Sequence, residues 1–229
     1  MTLKNSKINS LSDHPVITLL KSFSDDELKK FRRFLQSPYF NTGSKVIDLY
    51  NLLCKFYPDF KSKLLNKETL YFRLHNGKKK YKDSTMRDLL SELLDLMQKF
   101  LTLENFDKNC PVKFEYLSTE LINKRQVILI TRLLKSTESE LVSNTIFDTY
   151  DYYALHRFYL MKFNSNFTHG NLADTDINKS NLIQVINSTN NLLFFFISEY
   201  ISEYINMIVY ALNFNIPMPS NLWIDSIDF

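Results

Sequence analysis

Two carboxylates one helical turn apart, Glu199 and Glu203 in LLFFFISEYISEYINMIVYAL (192–212), have the spacing that brings both side chains to one metal ion. A dimetal site in a helical bundle also needs Glu-x-x-His pairs on facing helices. None of the four histidines, His14, His75, His156 and His169, follows a glutamate at that spacing. The pair therefore reads as the polar edge of a helix, and neither a metal nor another cofactor is expected.

His156 lies in DTYDYYALHRFYLMKF, where Tyr152 and Asp148 stand four and eight residues before it. Nothing nearby supplies a nucleophile with an oxyanion donor, so this histidine reads as one bonded to a neighbour. Neither GxSxG nor HExxH occurs, and no catalytic residue or small-molecule substrate is implied. Basic residues carry more weight. Lys29, Lys30, Arg32 and Arg33 form a ridge, and Lys78, Lys79, Lys80 and Lys82 cluster around Tyr81. On one face, the two groups would neutralise several phosphates and give salt-sensitive, sequence-independent nucleic-acid binding. A charged helix face that is merely solvated is the competing reading.

The elements that carry these residues read as helices. Ser24-Asp25-Asp26-Glu27 is a capping box, in which hydroxyl and carboxylate satisfy backbone donors of the first turn. Leu28, Phe31, Phe34 and Leu35 then fall on one face, and Pro38 ends the helix near Gln36 or Ser37. Pro15 opens a short helix before it. SPYFNTGS is a turn with Ser44 as the expected cap of the next helix, which presents Val46, Leu49, Tyr50, Leu53 and Phe56 up to Pro58. A helix from about Lys67 to Leu74 precedes an Asn76-Gly77 turn. Asp83 or Ser84 opens a central helix over 84–103, with Met86, Leu90, Leu93, Met97 and Phe100 on one seam and Leu89, Leu96 and Leu103 on a second. Longer helices are predicted over 112–136, 144–163 and 178–213, with residues 164–178 as a loop.

The apolar run at 192–212 is about the length that spans a hydrocarbon core of about 30 Å. Charged residues at the centre of an inserted helix cost about 2.5 to 3.5 kcal/mol, against about 0.3 to 0.6 gained per Leu or Ile. Glu199, Ser202, Glu203 and Asn206 also fall on one stripe, opposite Ile197, Ile201, Ile205, Ile208 and Val209. The run is thus expected to be a core helix with its glutamate edge facing water or a partner, and not a membrane span.

Composition supports the all-α reading. The chain has 229 residues and only three glycines, Gly43, Gly77 and Gly170, where average usage of about 7% gives about sixteen. Folds built on tight turns and phosphate-cradling loops, such as β-sandwiches, Rossmann domains and P-loop enzymes, depend on glycine and are disfavoured. Cys54 and Cys110 sit in no metal spacing and read as reduced thiols. No apolar stretch of signal-peptide length occurs among the first residues, which points to the cytoplasm. Residues 1–101 hold 19 Lys and Arg against 11 Asp and Glu, whereas 102–229 hold 9 against 14. The halves are therefore of opposite sign, net +8 and −5.

FSDDELKKFRRFLQSPYFN, IDLYNLLCKFYPDF and LNKETLYFRLHNGKKKYKDSTMRDLLSELLDLMQKFL together resemble the amino-terminal region of a family of uncharacterised bacterial all-helical proteins. The resemblance covers about residues 16–103 and implies a helical fold but no activity. Trp223, Ile224, Ile227 and Phe229 keep helical spacing to the last residue, like a helix cut short.

The expectation is an all-α protein: a basic helical bundle over 1–105, then an acidic region of long antiparallel helices over 106–229, solenoid-like in the sense of stacked helix pairs. A non-enzymatic module for protein–protein contacts or self-association is the leading expectation for function. Nucleic-acid binding by the basic half is the alternative.

Overall fold

The computed structural model describes residues 10–143, 148–169 and 175–217. The run Trp223, Ile224, Ile227 and Phe229 lies outside them. The chain divides into two compact units, Met1–Lys108 and Asn109–Phe229. Among the described residues every regular element is an α-helix, apart from a single bridge between Ser10 and Asn66.

The first unit contains α1 (Pro15–Ser22), α2 (Asp25–Gln36), α3 (Ser44–Cys54), α4 (Lys67–Leu74) and α5 (Asp83–Lys108). Local chemistry sets most of their ends. Pro15 occupies the first turn of α1, where a missing N–H is no loss. The capping box at α2 forms in both directions: Glu27 N donates to Ser24 Oγ at 3.3 Å, and Ser24 N donates to Glu27 Oε2 at 2.8 Å. The turn after α2 is held by the buried Asn41, whose Nδ2 donates to Leu35 O at 2.9 Å while its Oδ1 accepts from Gly43 N at 2.8 Å. The cap of α3 is therefore Gly43, and the expected Ser44 cap is instead the first helical residue, with no side-chain bond at this end.

Helix α5 is the spine. Met86, Leu90, Leu93, Met97 and Phe100 are buried along it as predicted, and Leu96 joins them. Of the second seam, Leu89 is partly buried and Leu103 is exposed, so the buried arc is narrower than expected at the carboxy-terminal end. Phe31 sits where α2, α3 and α5 converge, with ring centroids 5.9 Å from Phe23, 5.2 Å from Tyr50 and 5.3 Å from Phe100. Edge-to-face and tilted aromatic pairs at such distances stabilise beyond the area they bury.

The second unit contains α6 (Cys110–Asn123), α7 (Val127–Ser143), α8 (Thr149–His169) and α9 (Thr175–Phe214). The single helix expected over 112–136 is two helices. Arg125 takes a left-handed conformation (φ 55°) between them, and neither glycine nor proline marks the break. The loop expected over 164–178 is shorter, since α8 runs to His169 and α9 starts at Thr175. Phe114, Ile130, Leu134, Phe158 and Met161 form a small core between α6, α7 and α8. The ion pairs Arg157–Glu115 at 2.6 Å and Lys162–Glu138 at 2.8 Å fasten α8 to α6 and α7.

Phe31 is fully buried at the convergence of three helices. Phe31→Ala is expected to destabilise the protein by about 3 to 5 kcal/mol, read as a lower urea midpoint of the first unit's transition.

Candidate functional site

Two surfaces emerge from this scaffold, one on α9 and one between α3 and α4. Helix α9 lies antiparallel to α8: His156 meets Ser188, Asn166 Nδ2 donates to Asn181 Oδ1 at 3.1 Å, and Tyr153 packs on Phe195 at 5.2 Å. The residues α9 buries in its first half are polar, namely Asn181, Gln184 and Ser188 at 5–7% exposure. Its aliphatic residues point away: Ile186, Leu193, Ile197 and Ile201 are 48%, 55%, 43% and 51% exposed.

That overturns the expected orientation of this helix. The run at 192–212 is one continuous helix, as predicted, but it is not a core helix with its glutamates outermost. Asn181, Gln184 and Ser188 lie on the same stripe that continues as Glu199, Ser202, Glu203 and Asn206. This stripe faces α8 along the first half of α9. Thr149, the first residue of α8, falls opposite residue 197 in this register, so α9 runs on for about 25 Å past it. Glu199 is half-buried and Glu203 exposed on that extension. Among the described residues no three His, Cys, Asp or Glu side chains gather to hold a metal. There too, α9 is the one helix long and apolar enough to cross a membrane, and its apolar window is uncovered.

His156 is bonded to α9, through Ser188. Its Nδ1 lies 3.0 Å from the Ser188 carbonyl oxygen and 2.9 Å from the Ser188 hydroxyl. With a proton on Nδ1 the ring donates to the carbonyl; without one it accepts from the hydroxyl. Ser188 is buried between the two helices, so the pair serves packing and presents no nucleophile to solvent.

In the first unit the two predicted basic groups do not form one face. Lys30 pairs with Asp26 and with Glu104, each at 3.3 Å, which puts the α2 ridge at the carboxy-terminal end of α5. Lys82 directly precedes α5, with Asp83 paired to Arg87 at 3.0 Å and Lys67 at 3.5 Å. Glu104 and Asp83 are separated by about 32 Å of helix. Lys29, Arg32 and Arg33 are exposed on the ridge, and Lys78, Lys79 and Lys80 on the loop.

A different convergence appears between α3 and α4. A cleft of about 370 Å³ is lined there by Lys45, Asp48, Asn51, Lys55, Arg73 and Asn76. It continues along Leu52 to Thr69 and Phe72. Lys45 is engaged, by Asp48 at 3.5 Å and by the Leu74 carbonyl at 3.2 Å. His75, between the lining residues Leu74 and Asn76 in the chain, has its Nε2 shielded and unpartnered among the described residues. Burial first, then Lys79 and Lys45, push its pKa below the ordinary value. Sequence reading missed the cleft because Lys45, Lys55 and Arg73 belong to no charge run. A window at helical spacing, with Lys45 and Lys55 on α3 and Arg73 on α4, carries the only trace of it.

A histidine kept neutral by its surroundings stabilises the fold fully above its unfolded pKa of about 6.5. That contribution is lost as pH falls through the lower folded value, because the unfolded chain takes up the proton first. His75→Gln is expected to flatten this stretch of a stability-versus-pH profile. Lys79→Gln is expected to raise the His75 midpoint in an NMR titration.

No family model, no curated protein and no solved structure matches this chain.

Proposed function

We propose that this protein is a non-enzymatic helical interaction module that pairs with a second copy of itself through α9. The observation that carries the reading is the reversed polarity of this helix, which turns its polar stripe to α8 and leaves its aliphatic residues exposed from Ile186 to Ile201. Contiguous exposed apolar surface of this kind marks an interaction site.

The stripe itself favours a copy of the same chain. On its side away from α8, α9 carries Ile186, Asn190, Leu193, Ile197, Ile201, Tyr204 and Ile208, exposed as far as Ile201 and half-buried at Tyr204 and Ile208. The steps between them run 4, 3, 4, 4, 3, 4, which reads the same in both directions. Two copies crossing antiparallel about a two-fold axis at Ile197 would set Leu193 against Ile201, Asn190 against Tyr204, and Ile186 against Ile208. Apolar residues then meet apolar ones, and the one amide meets the one phenol. A two-fold interface requires this self-complementarity, and steps of three and four residues are those of helix pairs that pack knobs into holes. The stripe carries no charge, so the pairing differs from a head-to-tail association of the basic and acidic halves. Pairing of the latter kind would weaken with salt.

Light scattering coupled to size exclusion tests the reading. A dimer that persists at high salt and becomes a monomer in Leu193→Asp/Ile197→Asp, with helicity unchanged, is expected. In a background with Cys54→Ser and Cys110→Ser, Ile197→Cys should cross-link to itself on oxidation. Ile186→Cys should cross-link only when mixed with Ile208→Cys. A monomer at every concentration overturns the proposal, as does a dimer that salt dissolves or a monomer that partitions onto lipid vesicles.

A further inference from the structure

We propose that the cleft between α3 and α4 is a binding site for single-stranded nucleic acid, independent of any pairing through α9. Three cations line it: Lys45 from α3, Lys55 at the end of that helix, and Arg73 from α4. One carboxylate, Asp48, opposes them, and it is already paired with Lys45. Lys55 and Arg73 are exposed and carry no ion pair among the described residues. Lys45 and Lys55 stand about 15 Å apart along α3, a reach of a few nucleotides.

Charge alone would suit any polyanion. Phe72 narrows the choice: it is exposed beside Arg73 and lines the cleft with Lys55 and Asn76. An accessible ring inside a basic groove gives a stacking platform for a base, and every base has a face to stack. Asn51 and Asn76 border the cleft with side-chain amides unengaged among the described residues, donor and acceptor groups of the kind that bond base edges. A duplex offers no free base face, and an acidic peptide has no use for the ring.

Fluorescence anisotropy with labelled oligo(U) and oligo(dT), on the full chain, tests the site. Three neutralised phosphates predict a slope of log affinity against log salt of about −2, from about 0.7 per phosphate on single strands. Lys55→Gln/Arg73→Gln should weaken binding at least about tenfold and reduce that slope by about 1.4. Phe72→Ala should cost about 5- to 150-fold with the slope unchanged, and Phe72→Trp should retain affinity. Lys29→Gln/Arg33→Gln on the α2 ridge should leave binding intact. Absence of binding at low salt overturns the proposal. So does equal affinity for duplex DNA or poly-glutamate, or a Phe72→Ala protein that binds as well as the parent.

Discussion

Apolar surface leaves water whenever something apolar is available to cover it, and α9 offers the wrong face for that to happen within its own unit. Its contact with α8 is made through Asn181, Gln184 and Ser188, groups that are stable out of water only when hydrogen-bonded. Two of them find partners, Asn181 in Asn166 and Ser188 in His156. The Gln184 Oε1 atom is buried without one among the described residues. The arrangement of the second unit follows from this contact. Helix α8 meets α6 and α7 through Phe158 and Met161 with two ion pairs, and α9 through His156, Asn166 and aromatic contacts such as Tyr153 on Phe195, so it serves as the layer between them. The aliphatic side of α9 is left exposed from Ile186 to Ile201.

The first unit obeys the opposite logic, and each level of its organisation agrees with the next. The caps of α1, α2 and α4, the turn held by Asn41 and the buried stripe of α5 all specify the same bundle. Agreement of that kind is what a well-specified native state requires. Phe31 links α2, α3 and α5 by aromatic contacts, so the core does not rest on one pair of helices. At its surface, the cations divide into two kinds. Lys30 is held by two carboxylates, whereas Lys55 and Arg73 have no ion pair among the described residues and lie beside an accessible ring. Counting charges along the sequence gives the first kind equal rank with the second, although only the second has capacity left for a ligand.

Helix ends were legible where a side chain within four residues makes the bond. Ser24 with Glu27 is such a case; the end of α2 was legible for another reason, since Pro38 disfavours the helical conformation in Ser37 before it. The break between α6 and α7 was not, because it rests on one left-handed residue, Arg125, whose type does not announce that conformation. Ser44 failed as a predicted cap because Asn41 reaches Gly43 first and fixes the chain one residue earlier. The stretch 164–178 looked like a loop because it is polar. Its flanks are helical, and beside them Asn166 and Asn181 satisfy each other, a contact between residues fifteen apart that local polarity does not announce.

From the sequence alone came the all-helical class, the stripe of α5, and the presence on α9 of one polar and one aliphatic face. Periodicity and capping are local, and a helix repeats every 3.6 residues whatever surrounds it. Which of those faces α9 turns inward was decided by its neighbour, since α8 supplies His156 and Asn166 at the matching heights. The convergence of Lys45, Lys55 and Arg73 on one cleft was likewise decided by the packing of α3 against α4, because residues far apart in the chain share a site only after their helices dock.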